Sequence, residues 1–442
     1  MLTTKLGMAI TAITPPFPVP LAGYAARRGE FAGVCRSLSL RVWLFVQESE
    51  GGAVQKALLV QGDLIWWAPE RMVLMRSKLQ EGWGIPAAHV IFHASHTHGG
   101  PQTSERFHRL VGLARPEYVA YLEQQVDDAV AEAHRNIEPI RMEQGTGLCE
   151  GIGINRRKRE NETIVMAPNP DGTNDTEVTV IRCATLTGET KGVLFHFTCH
   201  PTTTADNDIN AEFCGAAMEM LDERLGKGKS CYLQGCCGDI RASLSRDGRF
   251  YSGHDSDVQQ FGERLAGVVN DILQQPLTPM RPAGIAGWSI QVELPFEQVP
   301  AAAELVVREG DSETVQEWKE LLLSNPDKLR PVAPLQLQLL QVAEGLAFLA
   351  IDGEVVVEYG LLIKRLSQHR VLPLAYSNGM VGYIPTAQQI RDGGYEGCDS
   401  FVIFGYPSPF AETIEPLIHT AIDTLLAHMK SPQNGAEEQK II

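Results

Sequence analysis

Four of the twelve histidines of this 442-residue chain fall within ten positions, at His89, His93, His96 and His98. Val90 to Phe92 is an apolar run that predicts a short buried strand, and Gly99-Gly100-Pro101 stops it. In an extended chain, residues i and i+2 point the same way, so His96 and His98 would share a face. Two imidazoles at a strand mouth can bind a transition metal or work as acid and base. The plainer reading is a polar strand end whose rings only hydrogen-bond the backbone. A second site repeats the pattern: Phe195-His196-Phe197-Thr198-Cys199-His200-Pro201 is an apolar strand running into a histidine. If the two strands were adjacent, their terminal histidines would converge at a sheet edge, where sites in layered α/β folds gather. His89 and His196 read as structural, and His93 as ambiguous. A zinc hydrolase would add a third ligand, often a carboxylate. Asp63, Glu212, Asp239, Asp352 and Glu354 all lie near strand ends, and the residues alone leave that choice open.

The elements that would position these groups alternate along the chain. Residues 5–25, with Pro15, Pro16, Pro18 and Pro20, read as a rigid irregular entry. Strands are expected at 38–48 and 56–66, a helix over 69–82, and another over Pro116–Arg135, where Tyr118, Leu122, Val126 and Val130 keep a helical period. Strands follow at 177–184 and 192–199, helices at 211–225 and 255–274, strands at 335–342, 346–351 and 371–376, and helices near 355–366 and 411–429. The interleaving predicts a layered α/β domain with mixed β-sheets flanked by helices. It would span 1–430 as one domain, with a possible helical insertion at 300–325, and a polar disordered tail at 431–442.

Composition narrows the partners. The chain is 44% hydrophobic and 21% charged, with a formal net charge of −16. Nucleic acid needs a positive footprint, so it is excluded as a partner. No apolar run reaches membrane-span length. Nine cysteines without a C-x-x-C pair suit reduced thiols, and no signal peptide is read at the N-terminus, so the expected compartment is the cytoplasm.

Several motifs in order extend this reading: Ala12-Ile13-Thr14-Pro15-Pro16 with Ala22-Gly23-Tyr24, then His96-Thr97-His98-Gly99-Gly100-Pro101 and Asn155-Arg156. Next come His200-Pro201-Thr202, Gln234-Gly235 with Gly238-Asp239, Gly353-Glu354, Ser377-Asn378 with Gly382-Tyr383-Ile384-Pro385-Thr386, and Tyr395-Glu396. Together they resemble the catalytic domain of the neutral/alkaline, non-lysosomal ceramidase family. The resemblance implies a zinc ion (Zn2+) held by His96, His200, Glu354 and Tyr383. It also implies a catalytic role for His98, and for Arg156 a contact with the reacting carbonyl or the substrate's polar head. Asp239 and Glu212 could then orient the ligand histidines, and Gly99-Gly100 could let substrate approach the backbone.

Some positions depart from the family. Gly238-Asp239 continues as Ile240-Arg241-Ala242-Ser243, so the serine that ceramidases carry after the aspartate has no counterpart, and Gly99 replaces a serine after the H-T-H. The expected activity is zinc-dependent hydrolysis of a linear amide, ceramide-like or another N-acyl compound, by activated water. The alternatives are an esterase or amidase acting on a small soluble substrate, and a non-catalytic metal-binding member. The expected partner is a small-molecule or lipid-like substrate; the sequence sets no oligomeric state.

Overall fold

The computed structural model describes residues 2–49, 51–429 and 439–441. Its largest element is a nine-stranded sheet. In spatial order it runs Ser230–Gln234, Thr190–Phe197, Glu177–Thr185, Glu138–Leu148, Thr3–Ala12, Ser39–Glu48, Val54–Gly62 and Val90–Ala94, with Thr278–Met280 paired beside Glu138–Leu148. Most neighbours are antiparallel, but the functional edges are parallel: Val90–Ala94 lies along Val54–Gly62, and Thr190–Phe197 along Ser230–Gln234. A smaller sheet contains Val371–Leu374, Leu346–Ile351, Val332–Ala343, Ala286–Pro295 and Gln439–Ile441 in that order.

Side-chain alternation explains the layering. In Ser39–Glu48, Trp43 and Phe45 pack with Leu340, Val342 and Phe348 of the smaller sheet, while Val42, Leu44 and Val46 join the opposite core. That opposite core contains Tyr118, Leu122, Val126 and Val130 from the helix Pro116–Arg135. The strand is therefore apolar on both faces, as burial between two layers requires. The smaller sheet is covered on its far side by the helix Ile414–His428, through Ile418, Ile422 and Leu425. Helices, large sheet, small sheet and helices form a layered α/β structure. Among the described residues no helix is long and apolar enough to cross a membrane.

The entry segment differs from expectation. Thr3–Ala12 is a ten-residue strand in the middle of the large sheet, paired along its whole length with Ser39–Glu48. Its prolines all follow Ile13, so nothing blocks the ladder before them. Leu6, Met8 and Ile10 alternate with Lys5, Gly7, Ala9 and Thr11, a short period-2 pattern that the following prolines mask. Residues 300–325 contain a short turn of helix at 302–304 and the helix Glu313–Ser324, which packs over the 401–406 segment through Trp318 Nε1 donating to the Tyr406 carbonyl at 2.8 Å. The expected disordered tail lies, apart from Gln439–Ile441, outside the described residues.

Candidate metal centre

The large sheet curls until its two edges meet. His93, on the edge strand Val90–Ala94, accepts from the Gln234 backbone N–H through Nε2 at 2.8 Å, and its Nδ1 lies 2.8 Å from Ser377 Oγ. Both ring nitrogens are thereby used, and His93 is a clasp of the seam. His196 and His89 likewise contact the Pro373 and Lys56 carbonyls, at 2.9 Å each. The strands leading to His96 and His200 are not neighbours, since Ser230–Gln234 lies between them across the seam. Their ends converge because the sheet closes.

His96 does not continue the strand. Its φ of 64° is left-handed, a conformation that costs a non-glycine residue on the order of 1–3 kcal/mol and is found at sites that a surrounding structure holds in place. The turn, and not a shared strand face, points His96 and His98 at one place: their Nε2 atoms are 3.3 Å apart. The Tyr376 ring stacks on His96 at 3.9 Å between centroids.

The protonation pattern of the centre follows from its partners. His96 Nδ1 lies 2.7 Å from the Ile65 carbonyl, and His200 Nδ1 lies 2.6 Å from the Cys237 carbonyl. A carbonyl only accepts, so each ring carries its proton on Nδ1 and turns a lone pair at Nε2 inward. Those Nε2 atoms lie 3.4 and 3.3 Å from Glu354 Oε2. All three residues are at most 4% exposed, and neither His200 Nε2 nor Glu354 Oε2 makes a hydrogen bond. Two lone pairs and a carboxylate oxygen meeting without a proton donor among them are a ready donor set for a cation. Burial and the Arg156 charge bring His200 down to about 4, and burial with the neighbouring imidazoles lowers His98 well below its ordinary value. Among the described residues, His96, His98 and His200 also form a group whose ring nitrogens lie within 4.8 Å of one another.

Glu354 and Tyr383 arrive together. Glu354–Val355 and Tyr383–Ile384 are two short parallel strands with Glu354 opposite Tyr383. Gly238 lets a third chain segment close on them, its N–H donating to the Val355 carbonyl at 2.8 Å. Tyr383, buried, accepts from Arg156 Nη2 at 2.9 Å. Arg156 Nε donates to Glu396 at 2.7 Å, and Arg157 Nη1 to the other oxygen of the same carboxylate at 2.7 Å. Burial pushes the Tyr383 hydroxyl up, with Arg156 opposing.

The geometry thus brings His96, His98, His200, Glu354, Tyr383 and Arg156 into one neighbourhood. It assigns different duties to other candidates. Glu212 and Asp239 make no hydrogen bond to His96 or His200. Glu212 accepts from the Thr204 N–H at 2.9 Å, and Asp239 from Val357 N–H at 2.9 Å and Gln389 Nε2 at 3.0 Å. Backbone carbonyls orient the rings instead. Asp63 accepts from Ser39, and Asp352 from the Gln336 N–H. Gly99 lets two backbones pack closely: a Cβ there would stand 2.3 Å from the Asn210 carbonyl oxygen. Glu396 had no assigned role in sequence, although it belongs to a quoted motif. The orienting carbonyls carry no side-chain signal at all.

No protein-family model matches the chain, and no curated protein sequence matches it significantly. Solved structures do match. Neutral ceramidase from Pseudomonas aeruginosa aligns at 17% identity with a TM-score of 0.75, covering 99% of this chain and 76% of that one. A structure described as ceramidase complexed with C2 aligns at 17% identity with a TM-score of 0.74, covering 99% of this chain and 77% of that one. At such identity the likeness is one of architecture, and this chain has a neutral ceramidase-like fold.

Proposed function

We propose that the protein is a zinc-dependent hydrolase that cleaves a linear amide bond of an N-acyl compound. The observation that carries this reading is the convergence of His96 Nε2, His200 Nε2 and Glu354 Oε2, with both histidine protons committed to carbonyls behind them. The structural neighbours named as ceramidases support the choice of an amide. His96, His200, Glu354 and Tyr383 are the residues that would hold the metal. Zinc in that position would supply a water whose pKa is lowered to about 7 and Lewis-acid polarisation of a carbonyl.

The chain's own groups have definable parts in such a reaction. His98, neutral at pH 7, has an Nε2 directed into the centre and can accept a proton there and return it to the leaving amine. Arg156 is locked by Glu396 and Tyr383 through Nε and Nη2, which leaves Nη1 to donate to the developing oxyanion. Its bond to Tyr383 favours the anionic phenolate that ligation requires.

Metal analysis and a substitution test this directly. The purified protein should hold about one zinc per chain. Replacing His98 with Ala should abolish amide turnover and leave zinc content unchanged. Loss of zinc in that variant would make His98 a ligand, as its place in the three-histidine group also permits.

A further inference from the structure

Arg241 stands beside the centre without a partner of opposite charge. It forms a parallel bridge with His200, and the His200 N–H donates to the Ile240 carbonyl at 3.1 Å. Its strand, Ile240–Ala242, pairs with Gly153–Glu160, which carries Arg156. The half-buried guanidinium contacts the Met166 sulfur at 3.7 Å and the Phe250 ring at 4.9 Å, and no carboxylate among the described residues is in ion-pair contact with it. Of the buried arginines, Arg41 is matched by Asp222 and Arg156 and Arg157 by Glu396, while Arg76 is held by the amide oxygens of Gln336 and Gln338 and the Val90 carbonyl; Arg241 has neither kind of partner among the described residues. A guanidinium is always charged, and its fork suits an oxyanion.

A second group points to the same place. The Tyr24 hydroxyl is buried and makes no hydrogen bond, while the Tyr24 ring lies 5.0 Å from His98 and 4.7 Å from the Arg27 guanidinium. Burial and Glu212 push that hydroxyl up, whereas Arg241, Arg27 and Arg156 all pull it down, so three guanidinium groups act on one unpartnered donor. Arg27 and Arg28 donate only to backbone carbonyls, including those of Ala22 and Ala25. In the adjoining groove of about 860 Å³, Arg109 and Arg115 are instead paired with Glu317 and Glu30. Arg27, which donates to the His98 carbonyl, and Arg241, bridged to His200, therefore bring positive charge without ion-pair partners among the described residues beside the centre of a chain with net charge −16.

We propose that the substrate carries an oxyanion, a carboxylate or a phosphate ester, close to the scissile bond, and that Arg241 holds it with help from the Tyr24 hydroxyl. The bond that is cleaved rests on the amide-hydrolase reading; the anion site does not. N-acylated amino acids place a carboxylate next to the amide nitrogen and are the simplest compounds that fit.

Calorimetric binding of three ligands to the zinc-loaded protein tests the site: N-octanoylglycine, N-octanoylethanolamine phosphate and neutral N-octanoylethanolamine. At least one anionic ligand should bind about tenfold to hundredfold more tightly than the neutral one, the range of a charge-assisted bond. The ratio should approach one in Arg241→Gln and be partly retained in Arg241→Lys. The order of the two anions distinguishes carboxylate from phosphate. Equal binding of all three, no binding of any, or a ratio that persists in Arg241→Gln overturns the proposal. Binding needs no turnover, so an intact preference with no amide cleavage would defeat only the hydrolase reading.

Discussion

His93 Nε2 accepts the Gln234 backbone N–H at 2.8 Å, and this one bond joins the two edges of the nine-stranded sheet. Parallel strands on either side of the seam then deliver His96 and His200 to the same point. The bond requires a neutral ring, and burial, with the His196 charge adding, pushes His93 down to about 3.

Acid should therefore weaken the seam. The unfolded chain protonates His93 near its ordinary 6.5, whereas the folded chain resists until about 3. The stabilisation is fully present above 6.5 and is lost as pH falls from there toward 3. His196, brought down to about 4 by burial first and Lys364 second, works in the same direction. Replacing His93 with Gln should cost about 1–3 kcal/mol at pH 8 and flatten, without abolishing, the loss between pH 6.5 and 4. Urea midpoints at several pH values check this; an unchanged acid slope would acquit His93.

Glu396 compensates two buried guanidinium groups at once, at 2.7 Å each. Its replacement by Ala should destabilise the fold by about 3–5 kcal/mol, because Arg156 and Arg157 would be left as uncompensated buried charges. Glu396→Gln should cost less, since it keeps an acceptor. Denaturant unfolding measures both, and amide turnover should fall in each because Arg156 loses its anchor.

Tyr383 distinguishes ligation from simple hydrogen bonding. If its oxygen binds the metal, the protein substituted with Fe(III) should show a phenolate charge-transfer absorption that Tyr383→Phe removes. The same substitution should weaken zinc binding by at least about tenfold. An absorption spectrum identical in the two proteins would confine Tyr383 to positioning Arg156.

Gly238 controls how closely the Glu354 strand approaches. A Cβ there would lie 2.7 Å from the Glu354 carbonyl oxygen and 3.0 Å from Val355 backbone atoms, none of which can rotate away. Gly238→Ala should cost about 1–3 kcal/mol of stability through overpacking. It should also lower zinc affinity by displacing Glu354, which equilibrium metal competition would detect.

Local pattern already determined much of this protein. The helix Pro116–Arg135 follows from a 3.6-residue period, the strands Val90–Ala94 and Leu346–Ile351 from short apolar runs, and the grouping of His96 and His200 from repeated strand-to-histidine junctions. Glu354 and Tyr383 were legible only through family resemblance, since nothing in their spacing separates them from Asp63, Glu212, Asp239 or Asp352. The Thr3–Ala12 strand is not evident from its residues, because three threonines, one lysine and one glycine leave few large apolar side chains, and pairing partners supply what propensity does not. Tertiary structure alone decided the closure of the sheet through His93 and Gln234, and the inward lone pairs of His96 and His200. Those rings are set by the Ile65 and Cys237 carbonyls, groups that every residue carries, so no side chain in the sequence could announce them.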